Sequence, residues 1–459
     1  MSVVIVGAGI TGLAAAFELT KQNVPVVVLE ASARVGGLIH TDHVDGFTIE
    51  RGADSLLAQK PAGIQLCEEL GLGPRLVSTT PPRHAFVLRD GRLYSLPSPS
   101  ILGIPTTWKG IAQYDLLSWP ARARLGLEPL VRRQSAIQDE SVASFFQRRF
   151  GAATVPLVAA PLLGGIHAGD VASLSIRSLF PRLVEAESRR GSVVLSFRRT
   201  RPTGSGEGAF RSLASGMGEL VAAIERRLPP GTIHCSAPVS ALTRTESTWR
   251  VHTAERTFEG RAAILAVPAF TSASLLAPLD AEAAGLCSQV PYVSTASVAL
   301  AWRREQVQHD LAGSGFVVAR TPGAPRITAC TWVSSKWGGR APAGYVLLRA
   351  FIGGATDPDA ASLSDDELVA VAVRDLGAVL QISDPPELAR VYRWQRAGAQ
   401  HNVGHLDRIT RLESRLTALP GLFVAGSGFR SIGISDCVAD GRAAATLALR
   451  IGDRRLPIG

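Results

Sequence analysis

The sequence predicts an α/β protein with three parts: a parallel-sheet domain built from both ends of the chain, a mixed-sheet domain and a helical domain. Residues 2–30 alternate an apolar strand, a helix and a second apolar strand, which is typical of a parallel sheet. Residues 420–449 repeat the order strand, glycine loop, helix. We expect the parallel-sheet domain at residues 1–85, 205–285 and 405–459, the mixed-sheet domain at residues 86–96 and 286–404, and the helical domain at residues 97–204.

The opening motif is G-x-G-x-x-G, formed by Gly7, Gly9 and Gly12 between a strand and a helix. Gly7 permits a tight turn, Gly9 lets backbone approach a pyrophosphate, and Gly12 lets the helix pack closely on the strand. The helix N-terminus, at Ile10 and Thr11, would face phosphates with its partial positive charge. The alternative is a glycine turn without a ligand, which must explain three costly glycines at these spacings. We therefore predict a Rossmann-like dinucleotide site.

The segment after the second strand indicates which dinucleotide is bound. Glu30 lies 18 residues beyond Gly12, close to the spacing of roughly 20 expected of a ribose-binding acid. Residues 31–39 read ASARVGGLI, where an arginine can reach a phosphate or adenosine and a glycine doublet permits close backbone approach. An ordinary turn would explain the doublet only if it stood alone. NAD enzymes do not usually need this second glycine pair, so the combination favours FAD.

Composition limits the class of protein. Hydrophobic residues make up 46% of the 459 residues and charged residues 19%, which indicates an ordered globular protein with a large core. The net charge of +9 favours anionic partners, but no nucleic-acid motif is present, so we expect no nucleic-acid partner. The five cysteines form no CxxC pair, which predicts neither a disulfide framework nor a metal site. Without a secretion signal or an apolar run of 18 residues, we expect a cytoplasmic protein that does not span a membrane.

The remaining segments predict further strands and helices. A strand leads into the Gly-Ala-Asp loop near residue 53, a helix begins after Lys60, and a hairpin turns at residues 90–91. Residues 200–208 predict a flexible connector, and four β-rich runs in residues 232–259 predict an antiparallel meander. The other predicted elements are a return strand at 261–268, strands at 293–302, 315–319, 326–333, 345–352, 387–394 and 422–425, and helices at 363–380, N-capped by Ser364, and 435–449.

Two features of the middle of the chain leave alternatives open. The helical part carries a basic, tryptophan-bearing stretch that can lie on an anionic membrane surface; the alternative, which the residues alone favour, is an ordinary helical domain with solvated arginines. His167, within APLLGGIHAGD, could be a base, but a single histidine is more often structural. The residues of the basic stretch are Trp108, Trp119, Arg122, Arg124, Arg132 and Arg133.

Several distant segments together resemble one family. They are VVIVGAGITGLAAAF, EASARVGGLI, IERGADSLL, LLGGIHAGDVASLSIRSLFPRL, TRPTGSG, ITACTWVSSKW, RWQRAGAQHNVGHLDRI and GSGFRSIGISDCVADGRAAA. They resemble the oxygen-dependent protoporphyrinogen and coproporphyrinogen III oxidases of haem synthesis, within the flavin amine oxidase superfamily. The first two segments are generic to flavin oxidases, whereas TRPTGSG and ITACTWVSSKW look most like the coproporphyrinogen III oxidase branch.

The resemblance implies an FAD domain of the p-hydroxybenzoate hydroxylase type, a substrate domain and a helical domain of a kind that often touches membranes. It implies removal of six hydrogens from a porphyrinogen, with molecular oxygen reduced to hydrogen peroxide. Peripheral contact with the inner face of the cell membrane and the choice between monomer and homodimer stay open. The rival hypotheses are a flavin-dependent amine oxidase, which would usually frame its amine with aromatic residues (only 6% here), and a flavin-bearing scaffold protein of the haem pathway.

The implied substrate residues are Lys60, Gly165, Ser314 and Val317. Ala85 and Gly164 stand where some members of the family carry arginine, and Arg83 is nearby but displaced, so the residues that pair with propionates are not predicted. We predict no metal ligands and no catalytic side chain beyond the flavin. The predicted cofactor residues are Gly7, Gly9, Ile10, Thr11, Gly12, Glu30, Ala31, Arg34, Gly36, Gly37, Gly52, Ala53, Asp54, Ser55, Val239, Gly426, Gly433 and Ile434.

Overall fold

We describe a computed structural model of the chain, covering residues 2–134, 138–198, 208–246, 248–430 and 432–453. The predicted connector at 200–208 therefore lies almost entirely outside the described residues. A five-stranded parallel sheet joins the two ends of the chain, as the α/β prediction requires. Its strands, in spatial order, are Ile233–His234, Val26–Leu29, Val3–Val6, Ala262–Leu265 and Leu422–Val424.

Two long helices cover one face of this parallel sheet. The opening helix, Ile10–Lys21, has the predicted bounds, and the C-terminal helix, Ile434–Asp453, packs across it. A Cβ atom at Gly441 would lie only 2.2 Å from the carbonyl oxygen of Thr11. The two helices are therefore so close at this point that only glycine fits between them. Their apolar faces, with Val3 and Ile264 of the sheet, form one continuous core.

The predicted four-run meander is wrong in its first run. Ile233–His234 pairs in parallel with Val28 and Leu29 and so belongs to the parallel sheet. The physical reason is the preceding helix, Gly218–Arg227, because a helical crossover returns the chain parallel to the sheet. The other runs form the antiparallel sheet Val239–Thr245, Thr248–Thr253 and Thr257–Gly260.

The second large sheet has seven strands and includes the predicted hairpin of residues 85–96. The first strand of that hairpin pairs in parallel with a later strand, with Ala85 opposite Gly315. The second strand of the hairpin pairs with the first and lies at the edge of the sheet. The sheet packs against the helix Asp365–Leu380, whose capping box at Ser364 and Glu367 confirms the predicted N-cap. The strand order is Leu388–Ala399, Tyr292–Arg303, Tyr345–Gly353, Ala329–Trp332, Gly315–Val318, Ala85–Arg89 and Arg92–Ser95.

The part of the chain between residues 97 and 198 is mainly helical, with a separate apolar core. Its glycine-rich apolar segment forms a π-helix, Val155–Gly164, that runs directly into Gly165–His167. The described part of the chain contains no helix whose length and apolarity would suit a membrane crossing. Its α-helices are Trp108–Ala112, Trp119–Gly126, Val142–Phe150, Gly165–His167, Ile176–Leu179, Pro181–Arg190 and Val193–Arg198.

Smaller elements connect these parts. Two hairpins, Thr41–Val44 with Phe47–Glu50 and Ser100–Ile101 with Ile104–Pro105, were not predicted. The other strands are Leu56–Leu57, Phe210–Leu213 and Leu76–Ser78, which form one small sheet. The other α-helices are Pro61–Glu69, Ala269–Leu276, Ala281–Ser288, Val333–Lys336 and His405–Leu416, and the 3-10 turns are Gly73–Arg75, Glu128–Leu130, Arg304–Gln306 and Pro358–Ser362.

Candidate flavin and substrate site

The three glycines of the opening motif have different physical roles. A Cβ at Gly7 would lie 2.5 Å from the carbonyl oxygen of Ala266, and one at Gly12 would lie 2.0 Å from that of Gly7. The protein's own backbone therefore requires both glycines. A Cβ at Gly9, in contrast, would meet no atom within 4 Å. Gly9 thus faces open space at the N-terminus of the opening helix, where Ile10 and Thr11 begin, and this cradle fits a phosphate group.

Glu30 connects the glycine turn to the loop that follows it. Its Oε2 accepts a hydrogen bond from the backbone N–H of Ala8 at 2.8 Å, and its Oε1 accepts from the N–H and Oγ of Ser32, both at 2.8 Å. Ala31 lies between them and is exposed. Val239 is the first residue of a strand and lies two residues after Ala237. The N–H of Ala237 donates a hydrogen bond to the carbonyl oxygen of Glu30. These residues surround the end of the second strand, the position that the sequence predicts for the ribose.

The glycine doublet lies against the opening motif. A Cβ at Gly37 would be 3.2 Å from the Cα of Gly9, and the N–H of Gly36 donates to Ala8 at 2.8 Å. Arg34 donates to the carbonyl oxygens of Val35 and Gly37 at 3.1 and 2.8 Å, so its guanidinium stabilises this loop. It also lines an open groove between the loop and the helix Gly218–Arg227.

The C-terminal loop and helix complete the same region. A Cβ at Gly426 would lie 3.3 Å from the Oγ1 of Thr11, and the Gly426 N–H donates to Asp440 at 2.7 Å. Gly433 has a φ of +118°, in the region that favours glycine, and Ile434 begins the helix directly after it. The structure therefore brings the predicted residues of both chain ends together around the N-terminus of the opening helix.

The loop from Gly52 to Ser55 is held by charged residues of the seven-stranded sheet. Asp54 lies 3.3 Å from the ammonium of Lys336 and 3.7 Å from the guanidinium of Arg349. Burial acts to raise the pKa of Asp54, but these two cations and the Ser55 hydroxyl hold it well below its usual range. A Cβ at Gly52 would lie 2.2 Å from the carbonyl oxygen of Leu38, and the Ala53 N–H donates to the same oxygen at 3.3 Å, so the loop also packs on the segment that follows the glycine doublet.

Lys60 lies at the rim of this region and is held from the C-terminal helix. Its ammonium is 2.5 Å from the carboxylate of Asp436, in the first turn of that helix, and its side chain is 45% exposed. Burial is the largest cause that lowers the pKa of His167 to about 4, and the nearby His401 imidazole and Lys60 ammonium act in the same direction. His167 follows Gly165, which is exposed, and a Cβ at Gly165 would meet no atom within 4 Å. Lys60 therefore lies near the segment that contains Gly165, and Gly165 itself faces open space.

Ser314 and Val317 lie on a different wall. The N–H of Ser314 donates to the carbonyl oxygen of His84 at 2.7 Å, and Val317 packs against the core of the helical region. Ser314 therefore contacts the residue just before the hairpin strand, and Val317 contacts that strand and the helical region. The Nε of Arg83 donates to the carbonyl oxygen of Thr79 at 2.9 Å, within its own loop.

A pair of buried histidines, His401 and His405, was not predicted as part of the site. Their rings stack with centroids 3.8 Å apart and planes 12° apart. The Nε2 atoms lie 2.9 and 2.8 Å from the carbonyl oxygens of Ser427 and Phe429, and since a carbonyl only accepts, each Nε2 donates. Burial lowers the pKa of His401 to about 3 and of His405 to about 4, so both rings are neutral and hold the loop before the C-terminal helix.

In the described parts of the chain, no cluster of three or more histidine, cysteine or acidic side chains could hold a metal ion. Lys336 and Arg349 were also missed by the sequence analysis, although Lys336 lies in the segment ITACTWVSSKW that carried the resemblance. Their pairing with Asp54 joins positions almost three hundred residues apart, which no local pattern reports.

Comparisons with known proteins show the family to which the chain belongs. The sequence pattern described as "flavin containing amine oxidoreductase" matches residues 10–449. The chain is 36% identical to the coproporphyrinogen III oxidase of Bacillus subtilis over 97% of each chain. It is 29% identical to the chloroplastic protoporphyrinogen oxidase of Nicotiana tabacum over 95% of this chain and 83% of that one. A crystal structure of a provisionally named protoporphyrinogen oxidase from Exiguobacterium superposes with a TM-score of 0.87 at 32% identity, over 98% and 99% of the two chains.

Proposed function

The chain belongs to the family of flavin-containing amine oxidoreductases, and from that premise we propose that it uses FAD to oxidise a porphyrinogen to a porphyrin in haem biosynthesis. The observation that carries the proposal is the 36% identity to a coproporphyrinogen III oxidase over 97% of both chains. The arrangement of the site supports it, since the glycine cradle, Glu30 and the C-terminal loop converge at one helix N-terminus.

The residues present fit a flavin. Gly9 and the N-terminus of the opening helix would hold the pyrophosphate, Glu30 the ribose, and Gly433 with the start of the C-terminal helix the polar edge of the ring. FAD supplies the capacity to accept hydride, so the protein need not supply a nucleophile. The chain's own groups then orient the substrate and set the local charge. The two stacked histidines are buried and neutral, so they add no charge to the site.

For the substrate we propose coproporphyrinogen III, with oxygen as acceptor and hydrogen peroxide as product. A porphyrinogen is a broad apolar macrocycle with anionic propionates, so its site needs an open slot with cations at the rim. Gly165 leaves open space, Ile166 beside it is 64% exposed, and Lys60, which is paired with Asp436, places an ammonium group near them. Coproporphyrinogen III carries four propionates and protoporphyrinogen IX two, so a basic rim favours the former.

The decisive experiment compares the two porphyrinogens side by side, each prepared without oxygen and then mixed with flavin-loaded enzyme in air. We expect an enzyme-dependent rise in porphyrin fluorescence with peroxide release, and a higher kcat/KM for coproporphyrinogen III. No rise with either substrate would end the proposal. Peroxide release with polyamines instead would favour the amine oxidase alternative, and bound FAD without any turnover would favour a scaffold role.

We also propose that the helical region contacts anionic membrane surfaces through the Trp119 surface, defined by Trp119, Leu127 and Leu130. These side chains are 71%, 54% and 80% exposed, and Arg132 and Arg133, which closely follow Leu130 in the sequence, are exposed as well. Exposed apolar side chains beside cations suit an interfacial contact. The protein should float with vesicles containing anionic lipid but not with neutral ones, and Trp119→Ala with Leu130→Ala should abolish this. Equal flotation of the double variant would contradict the assignment.

A further inference from the structure

Three segments distant in sequence converge at the rim beside Lys60. Gln59 precedes Lys60, and its Oε1 accepts a hydrogen bond from the Nη1 of Arg182 at 2.7 Å. Arg182 lies in the first turn of the helix Pro181–Arg190, two residues after Phe180. The Phe180 ring packs edge-on against the His167 ring at 5.6 Å, which places this helix start beside Gly165–His167. Arg182 therefore lies near the open space already described.

The two cations at this rim differ in how their charge is balanced. Lys60 is paired with the carboxylate of Asp436, so its positive charge is compensated within the protein. The partner of Arg182 is the neutral amide of Gln59, which fixes the guanidinium without cancelling its charge. Arg182 is also exposed, and the planar guanidinium suits a bidentate contact with a carboxylate.

We infer that Arg182 binds a carboxylate of the substrate at this rim, and that Gln59 positions its guanidinium for that contact. The inference rests on the proposed porphyrinogen activity and assigns a propionate-binding residue that the sequence did not reveal. A substrate with four carboxylates has more ways of reaching this cation than one with two, so Arg182 contributes to the choice between the two porphyrinogens. Lys60, held by Asp436, provides the second and weaker positive position beside it.

The test measures binding and turnover in flavin-loaded protein. Coproporphyrin III and protoporphyrin IX serve as binding probes through fluorescence, and the porphyrinogens serve for KM and kcat. We expect Arg182→Gln to raise the Kd for coproporphyrin III about three- to tenfold, the range of one charge-assisted contact at an exposed position. KM for coproporphyrinogen III should rise by a similar factor with kcat unchanged, and Arg182→Lys should lie between the two.

A matched control lies on the same helix. Arg189 is exposed, pairs with Glu185 and lies about 10 Å from Arg182 along the helix axis. Arg189→Gln therefore removes the same charge at a position away from the rim. Equal effects of the Arg182 and Arg189 substitutions would reduce the result to net charge and overturn the inference. A Kd for Arg182→Gln within twofold of wild type at low salt would also overturn it.

The role of Gln59 is separated by a double-mutant cycle. Gln59→Ala should weaken coproporphyrin III binding in the wild-type background and have little further effect in the Arg182→Gln background. Additive effects would contradict a positioning role. If wild-type protein turns over neither porphyrinogen, the proposed function fails, whereas the binding measurements still decide whether Arg182 recognises a carboxylate.

Discussion

The stacked histidine pair predicts that mild acid destabilises the protein through the loop before the C-terminal helix. His401 and His405 are buried and neutral, with pKa values lowered by burial to about 3 and about 4 from an ordinary value of 6.5. The unfolded chain therefore binds protons at a higher pH than the folded one. This contribution to stability is complete above about pH 6.5 and is lost as the pH falls towards the folded pKa values.

The expected magnitude follows from the two pKa values. Between pH 8 and pH 5, a histidine shifted from 6.5 to about 4 loses about 2 kcal/mol of unfolding free energy, and His401 loses a similar amount. Carboxylates contribute little in this interval because most titrate below it. Since the two Nε2–H groups hold Ser427 and Phe429, flavin release should accompany the loss.

The assay is urea unfolding of the flavin-loaded protein, followed by tryptophan and flavin fluorescence at a series of pH values from 8 to 5. His405→Gln keeps a side-chain N–H for the Phe429 carbonyl but does not titrate, so it should remove about 2 kcal/mol of the pH-dependent loss. His252→Gln is the control, because that half-buried ring lies in the small antiparallel sheet. A His405→Gln variant with the full wild-type pH dependence would refute the reasoning.

Four further substitutions test the cofactor site. Gly9→Val should leave the fold intact, because a Cβ there meets nothing within 4 Å, but it should abolish flavin binding. Gly12→Val should instead prevent folding, because its Cβ would meet the Gly7 carbonyl oxygen. Flavin absorbance and thermal melts check both outcomes. Glu30→Ala should lower the flavin retained after desalting, since it removes the proposed ribose acceptor and three hydrogen bonds from Ala8 and Ser32, and unchanged retention would count against that placement. Asp54→Asn should cost about 2–3 kcal/mol of unfolding free energy at pH 7, because the partly buried cation Lys336 loses its carboxylate, and a loss below 1 kcal/mol in urea titrations would contradict the buried ion cluster.

Local patterns were sufficient where structure depends on neighbours in sequence. The opening helix has its predicted bounds, and the Ser364 cap was read from a capping residue followed by acids.

The hairpin at Asp45-Gly46 was missed although both residues have positive φ and the dipeptide is a strong hairpin signal. Ile233–His234 was misassigned because two residues in a β-rich run do not show which strand they will pair with.

The site could be predicted only as far as glycine spacing and family resemblance reached. The positions of Gly9 and Glu30 follow from a compact motif, so they are readable along the chain. The partners of Asp54 and of His401 come from distant elements, and charge pairs or ring stacks between such elements leave no periodic trace in sequence. Arg182 was missed for the same reason, because its hydrogen-bond partner Gln59 lies more than a hundred residues away in the sequence.

These long-range contacts share one physical property, which is that each joins the cofactor region to another part of the chain. Asp54 is held by the seven-stranded sheet, and Ser427 by a histidine whose other ring nitrogen accepts from Ser178 of the helical region. Lys60 and Asp436 join the two chain ends. A flavin bound at this junction would stabilise all of these contacts together, because a ligand that binds only the folded state adds its binding free energy to folding. Substitutions at any of them should therefore lower flavin retention before they lower the chemical rate.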